Sequence, residues 1–246
     1  MRSAFKGLFA VIAMILSASI AAHAANPLRF EVKKTQSGEK YKFIFTNDAE
    51  FGFTTRRPDK NDQKILLSIP AAFTLKDDSI DGVYICDGKV HNINGTDAEL
   101  GGALSYVEGK LQIFPTSKGK LLTRKYLDEL AARKAIFFQQ FQVIENGKAA
   151  KFRDKSKFIR RGVGIMKNGQ TVIVESHNAI ELGKFGQDLL ELGLQNLLYT
   201  DMGAWSEGWV RNPKDGKTVR LGEDTQLSNK QSNWLVLKDK EHSKAD

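Results

Sequence analysis

The sequence predicts an α+β fold, mainly antiparallel or mixed sheet with many hairpins and two packed helices. Short apolar runs alternate with Asp-Gly, Glu-Gly and Asn-Gly pairs, and such glycine-containing pairs accept the positive φ angles of tight hairpin turns. Apolar residues recur at helical spacing in only two segments. No Pro/Ser/Gly-rich linker divides the chain, so a single domain over 25–238 is expected, followed by a polar tail at 239–246.

Taken in order, residues 1–24 read as an export signal. Arg2 and Lys6 give a positive start, 7–22 is apolar without a charge, and Ala22-His23-Ala24 offers the small residues a signal peptidase requires. A membrane anchor is the rival reading, but the run barely spans a hydrocarbon core. No other segment is apolar enough to cross a bilayer. The mature chain is expected to begin near Ala25 and to be exported, periplasmic or extracellular, with no stable membrane span.

Residues 30–32 and 41–45 form a first antiparallel pair, turning at Ser37-Gly38. Residues 83–86 and 90–91 flank Asp87-Gly88-Lys89, and 104–107 and 111–114 flank Glu108-Gly109-Lys110. Thr123 caps a helix over 124–134, where Tyr126, Leu127, Leu130 and Ala131 share the apolar stripe. Residues 141–144 turn at Asn146-Gly147, and 162–166 turn at Asn168-Gly169 into 171–174. A second helix over 184–192 carries Phe185, Leu189, Leu190 and Leu192 and stops at Gly193. Residues 194–200 then deliver Asp201 into a loop of small and aromatic residues. A last strand, 234–237, follows Gln231-Ser232-Asn233.

Loss of Arg2 and Lys6 with the signal lowers the formal charge from +8 to +6. The basic excess favours anionic partners such as phosphorylated sugars, wall polymers or lipid head groups. Export places nucleic acid last, and no recognition motif for it is present. Cys86 is the only cysteine, so no intramolecular disulfide forms; between apolar strand neighbours it reads as a buried, inert thiol. His91, His177 and His242 show no ligand spacing, so neither metal nor cofactor is expected.

Asp201 stands at a strand end, where rigid scaffolds carry functional groups, although a backbone cap is an alternative use. Trp205 and Trp209 suit stacking on pyranose rings, with local core filling as the competing use. Arg160 and Arg161 point to opposite faces of a strand, so at most one reaches a given pocket.

Three segments resemble the phosphodiester glycosidase family. Arg160-Arg161-Gly162-Val163-Gly164-Ile165 with the Asn168-Gly169 turn is similar to the family's Arg-Thr-Ala-Ile-Gly strand, Asp-Gly turn and following strand. Residues 189–194 followed by Asn196 to Asp201 and Gly203 resemble its leucine-rich helix and Leu-Asp-Gly-Gly-Gly-Ser-Ser loop. Ser232-Asn233 is similar to its closing Ser-Asn strand. The likeness spans roughly 138–237 and is closest to secreted bacterial members. Pro70-Ala71-Ala72-Phe73-Thr74 stands where the family has Asn-Gly-Gly-Phe-Phe, and Met202, Ala204 and Trp205 replace small loop residues.

The resemblance implies a secreted hydrolase that cleaves a glycosyl phosphodiester in a glycan, wall polymer or glycolipid. A non-catalytic carbohydrate- or envelope-binding protein on the same fold is the alternative. Asp201 and Arg160 are the catalytic candidates, acting as acid–base or nucleophile and as phosphate clamp. Glu207 and Glu175 are possible second carboxylates. Asn233, Trp205, Ser206, Gly203, Gln140 and His177 are the candidate substrate-binding positions.

Overall fold

The computed structural model describes residues 27–240 except Asp48, Pro213 and the side chain of Ala204. The expected export signal and most of the polar tail, with His242, lie outside the described residues. In chain order the elements are β1 (Arg29–Lys34), β2 (Lys40–Phe45), β3 (Glu50–Thr54), β4 (Ile65–Pro70), β5 (Tyr84–Cys86), β6 (Lys89–His91), β7 (Gly101–Val107), β8 (Lys110–Pro115) and α1 (Arg124–Ala132). They continue with β9 (Ile136–Glu145), β10 (Lys148–Ala149), β11 (Arg161–Met166), β12 (Thr171–Ser176), α2 (Leu182–Glu191), β13 (Leu194–Tyr199), β14 (Gly208–Arg211), β15 (Thr218–Leu221) and β16 (Trp234–Lys238).

Two sheets result. The larger follows the order β1-β2-β12-β11-β13-β9-β5-β6, with β7, β8 and β10 attached beside β9; the smaller runs β15-β14-β4-β16-β3. Every pairing among the described strands is antiparallel, so the mixed alternative drops out. The first half of β9 pairs with β5 and β7 and its second half with β13. Gln139 and Gln140, expected just before a strand, therefore lie inside β9.

Alternation along the strands sorts the side chains into layers. Tyr41, Phe43 and Phe45 of β2 and Val172 and Val174 of β12 pack under Leu182, Phe185 and Leu189 of α2. Ile44, Ile173, Val163 and Leu198 face the other way and meet Phe51, Leu67, Ile69, Leu235 and Leu237 of the smaller sheet. Helix α1 covers Val83, Ile85, Ala103 and Phe137. Thr123 caps α1 by accepting the Tyr126 N–H at 3.2 Å. Helix α2 begins at Leu182, two residues before the predicted start; the extended Glu181 precedes it without a side-chain cap, its carbonyl accepting the Phe185 N–H at 3.0 Å. Gly193 then ends the turn with φ +96°, a conformation that glycine adopts without a Cβ penalty.

The smaller sheet is the main departure from expectation, since only β16 was foreseen. All six residues of β4 are buried, so its sequence shows no polar alternation. Residues 208–211, read as loop, form β14, and Trp209 sits in a buried cluster with Ile65, Trp234 and Val236.

Candidate functional site

Three strand ends meet at residues 71–74, directly after β4. Ala71 and Ala72 are fully buried there. The Asp201 N–H, just past β13, donates to the Ala71 carbonyl at 2.9 Å and ties the two sheets together. In return the Thr74 N–H donates to Asp201 Oδ2 at 2.8 Å. Asn233, just before β16, grips Ala72 twice: Oδ1 accepts its N–H at 2.8 Å and Nδ2 donates to its carbonyl at 3.0 Å. From β9, Gln140 Nε2 donates to the Ala71 carbonyl at 3.4 Å. The segment that departs from the family pattern is thus where Asp201, Asn233 and Gln140 converge.

The Asp201 carboxyl is 2% exposed. Burial pushes its pKa up to about 7, against the opposing pull of the Thr74 N–H and hydroxyl and the Met202 N–H. Its partners among the described residues are backbone and hydroxyl groups rather than a cation. A carboxyl titrating near neutrality can both take and return a proton at physiological pH.

The two arginines divide as strand geometry requires. Arg160 Nε donates to the Ile180 carbonyl at 3.0 Å, one Nη to the Tyr199 hydroxyl at 2.9 Å and the other to the Ser156 carbonyl at 2.7 Å. Tyr199 lies two residues before Asp201, so Arg160 reaches the site through that ring. Arg161 faces the smaller sheet. It donates to Glu175 Oε2 at 3.0 and 2.5 Å and to the Ser206 carbonyl at 3.1 and 3.2 Å. Burial would push the Glu175 carboxyl up, but Arg161 and Lys42 outweigh it and hold it below its ordinary value.

An aromatic shelf stands beside Asp201. Half-buried Phe73 meets Phe141 at 5.3 Å and Tyr199 at 6.2 Å, both edge-on, and Phe141 meets Phe152 at 5.9 Å. In the loop, Gly203 has φ +85° with open space where a Cβ would stand, so backbone conformation rather than crowding calls for glycine. The Trp205 indole N–H is buried without a hydrogen-bond partner. Ser206 Oγ accepts the Glu223 N–H at 3.1 Å. Trp209, 4% exposed, fills core instead of forming a platform.

Both acids considered as second carboxylates are held by cations: Glu175 by Arg161 and Lys42, Glu207 by Arg57 and Lys60. His177 is exposed and lines a separate groove beside β1. The Cys86 thiol is buried, and burial pushes its pKa up. Among the described residues no cluster of three His, Cys, Asp or Glu side chains suits a metal ion, and no helix is long and apolar enough to cross a membrane.

An opening lies two contacts from the acid. Ser232 sits 3.0 Å from the Thr74 hydroxyl and also lines a hollow of about 510 Å³, with Leu75, Ile80, Tyr84 and Asn92. Thr74, Tyr199 and Arg161 were missed by sequence reasoning. Arg161 stands opposite Glu175, an opposite-charge cross-strand pair, because the loop takes three residues, 167–169; a two-residue Asn168-Gly169 turn would have set it opposite Ser176.

No family model matches the sequence, and a search of curated proteins finds no match. Among solved structures the fold is similar to the catalytic domain of zebrafish N-acetylglucosamine-1-phosphodiester alpha-N-acetylglucosaminidase, auto-inhibited by its pro-peptide. That likeness has TM-score 0.55 and 11% identity, over 86% of this chain and 81% of that one. A hypothetical protein from Synechocystis is similar at TM-score 0.49 and 13% identity, over 86% of this chain and 62% of that one. At these identities the first likeness speaks to the fold, which is distantly phosphodiester glycosidase-like.

Proposed function

We propose that this protein is an exported hydrolase of the phosphodiester glycosidase type, cleaving a glycosyl phosphodiester in a glycan, wall polymer or glycolipid. The observation that carries the reading is the Asp201 carboxyl, raised to about 7 where β13, β4 and β16 meet. A phosphate monoester is already a good leaving group and needs little proton help. What the reaction requires is a water made nucleophilic at the anomeric carbon. Asp201 takes that proton as the water oxygen bonds to carbon, and the carbon–oxygen bond breaks with its electron pair on the phosphate. The Thr74 N–H holds the carboxylate in place. The half-buried rings of Phe73 and Phe141 are the aromatic surface nearest the acid against which a pyranose ring would pack. Arg160 has three of its N–H groups on protein acceptors, so it acts as a positioning residue through Tyr199.

The alternative, a binding protein without turnover, is favoured by one observation: the Asn233 carboxamide is spent on the Ala72 backbone and does not face a substrate. Release of sugar from an N-acetylglucosamine-1-phosphodiester and related glycosyl phosphodiesters separates the two. Asp201→Ala is expected to lower release by about 10²–10⁴-fold while the circular dichroism stays native. Glycan binding without release, unchanged by that substitution, would leave the binding protein standing.

A further inference from the structure

We propose that the groove between the outer strands of the two sheets binds one acyl chain carrying an anionic head group. Strand β1 is the outer strand of the larger sheet and β15 of the smaller, and the groove they border encloses about 880 Å³. That volume lies in the roughly 300–1,000 Å³ range of small-molecule sites. Phe30 and Val32 line it from β1 and Val219 from β15, and they are 43%, 63% and 51% exposed. Ile44, Val210 and Leu221 add buried apolar wall. A concentration of exposed apolar surface in one concave place marks a binding site rather than scattered surface residues.

The charge of the groove selects the head group. Arg29 and Lys33 share Glu31, so that cluster too holds one cation more than its carboxylate answers. Lys42, a lining residue, shares Glu175 with Arg161, so a single carboxylate faces two cations. One positive charge is left over, and the Lys42 side chain, 41% exposed, carries it to the groove. Lys214 adds a second lining cation. An anionic head beside Lys42 answers that surplus while its chain covers Phe30, Val32 and Val219. A peptide strand added to the β1 edge would pair its backbone yet leave the surplus charge unanswered. The groove shares no residue with 71–74, Asp201 or Asn233, so the inference stands apart from the catalytic reading.

Calorimetric titration of the full chain with dodecyl phosphate, below its micelle concentration, tests this directly. Saturable binding of one molecule per protein is expected, at least tenfold weaker in Val32→Asp and in Val219→Asp. Both positions are exposed and lie on different sheets, so a local disturbance of one edge leaves the other variant informative. Dodecyltrimethylammonium, with the same chain and opposite charge, and inorganic phosphate, with no chain, are expected to bind at least tenfold more weakly. The proposal is overturned by absence of saturable binding, by equal binding of either control, or by affinity undiminished in both variants. Binding only to anionic phospholipid vesicles overturns it too, as does a protein dimer that either Asp variant dissolves, since the groove would then serve a bilayer or a second copy.

Discussion

The junction at Asp201 and the groove between β1 and β15 are built from opposite ingredients. At the junction, two alanines without exposed surface are held by two carboxamides and by the backbone bond from the Asp201 N–H to the Ala71 carbonyl, and the Asp201 carboxyl takes the Thr74 N–H beside them. In the groove, large apolar side chains stand half in solvent on two strands without an outer neighbour among the described strands. The first region is dry and fixed before any ligand arrives, the condition under which a carboxyl is held away from its ordinary pKa. The second is open and adaptable, and suits a ligand recognised by burial and charge. The proposed chemistry accordingly belongs to the junction and the proposed capture to the groove.

The largest difference is expected in stability against pH. A carboxyl whose folded pKa is raised from 3.8 to about 7 stabilises the folded state, relative to full ionisation, in full below 3.8, and that benefit is lost progressively as pH rises to about 7. The wild type should lose roughly 4 kcal/mol from this group between pH 4 and pH 8, an amount set by the size of that shift. Asp201→Asn removes the loss, so its advantage over wild type should grow across that window in denaturant melts. Parallel stability curves for the two proteins would remove the dry-junction half of the comparison.

Next in size is the clamp. Asn233→Ala leaves the Ala72 N–H and carbonyl without partners in the interior and should cost about 2–5 kcal/mol in urea unfolding. The smallest effect belongs to the groove, where Val32→Ser should change stability by no more than about 0.5 kcal/mol, because that side chain is already 63% exposed. A Val32→Ser cost equal to that of Asn233→Ala would mean the groove is part of the core, not an open site.

The sequence made the larger sheet easier to see than the smaller. Turns at Asp87-Gly88, Glu108-Gly109, Asn146-Gly147 and Asn168-Gly169 announce their hairpins through local φ demands, and the structure gives those glycines positive φ. Strand β4 has no such signal: an apolar run buried on both faces shows no period, and it ends in Pro70. Strands β14 and β15 hid behind Trp205 and Trp209, which read as one aromatic loop. The site was legible to the same degree. Asp201 and Asn233 are polar residues at strand ends, which local reading finds. Their meeting at Ala72 and Thr74 is not, because those bonds join residues 161 and 127 positions apart through backbone atoms that carry no side-chain signature.

The pH dependence of kcat/KM for hydrolysis of a glycosyl phosphodiester tests the central claim most directly. With Asp201 as the base, the rate should climb about tenfold per pH unit below 7 and level off above it, and Asp201→Asn should lower the plateau by about 10²–10⁴-fold. A profile flat from pH 5 to 8, or a wild-type rate in Asp201→Asn, would contradict it.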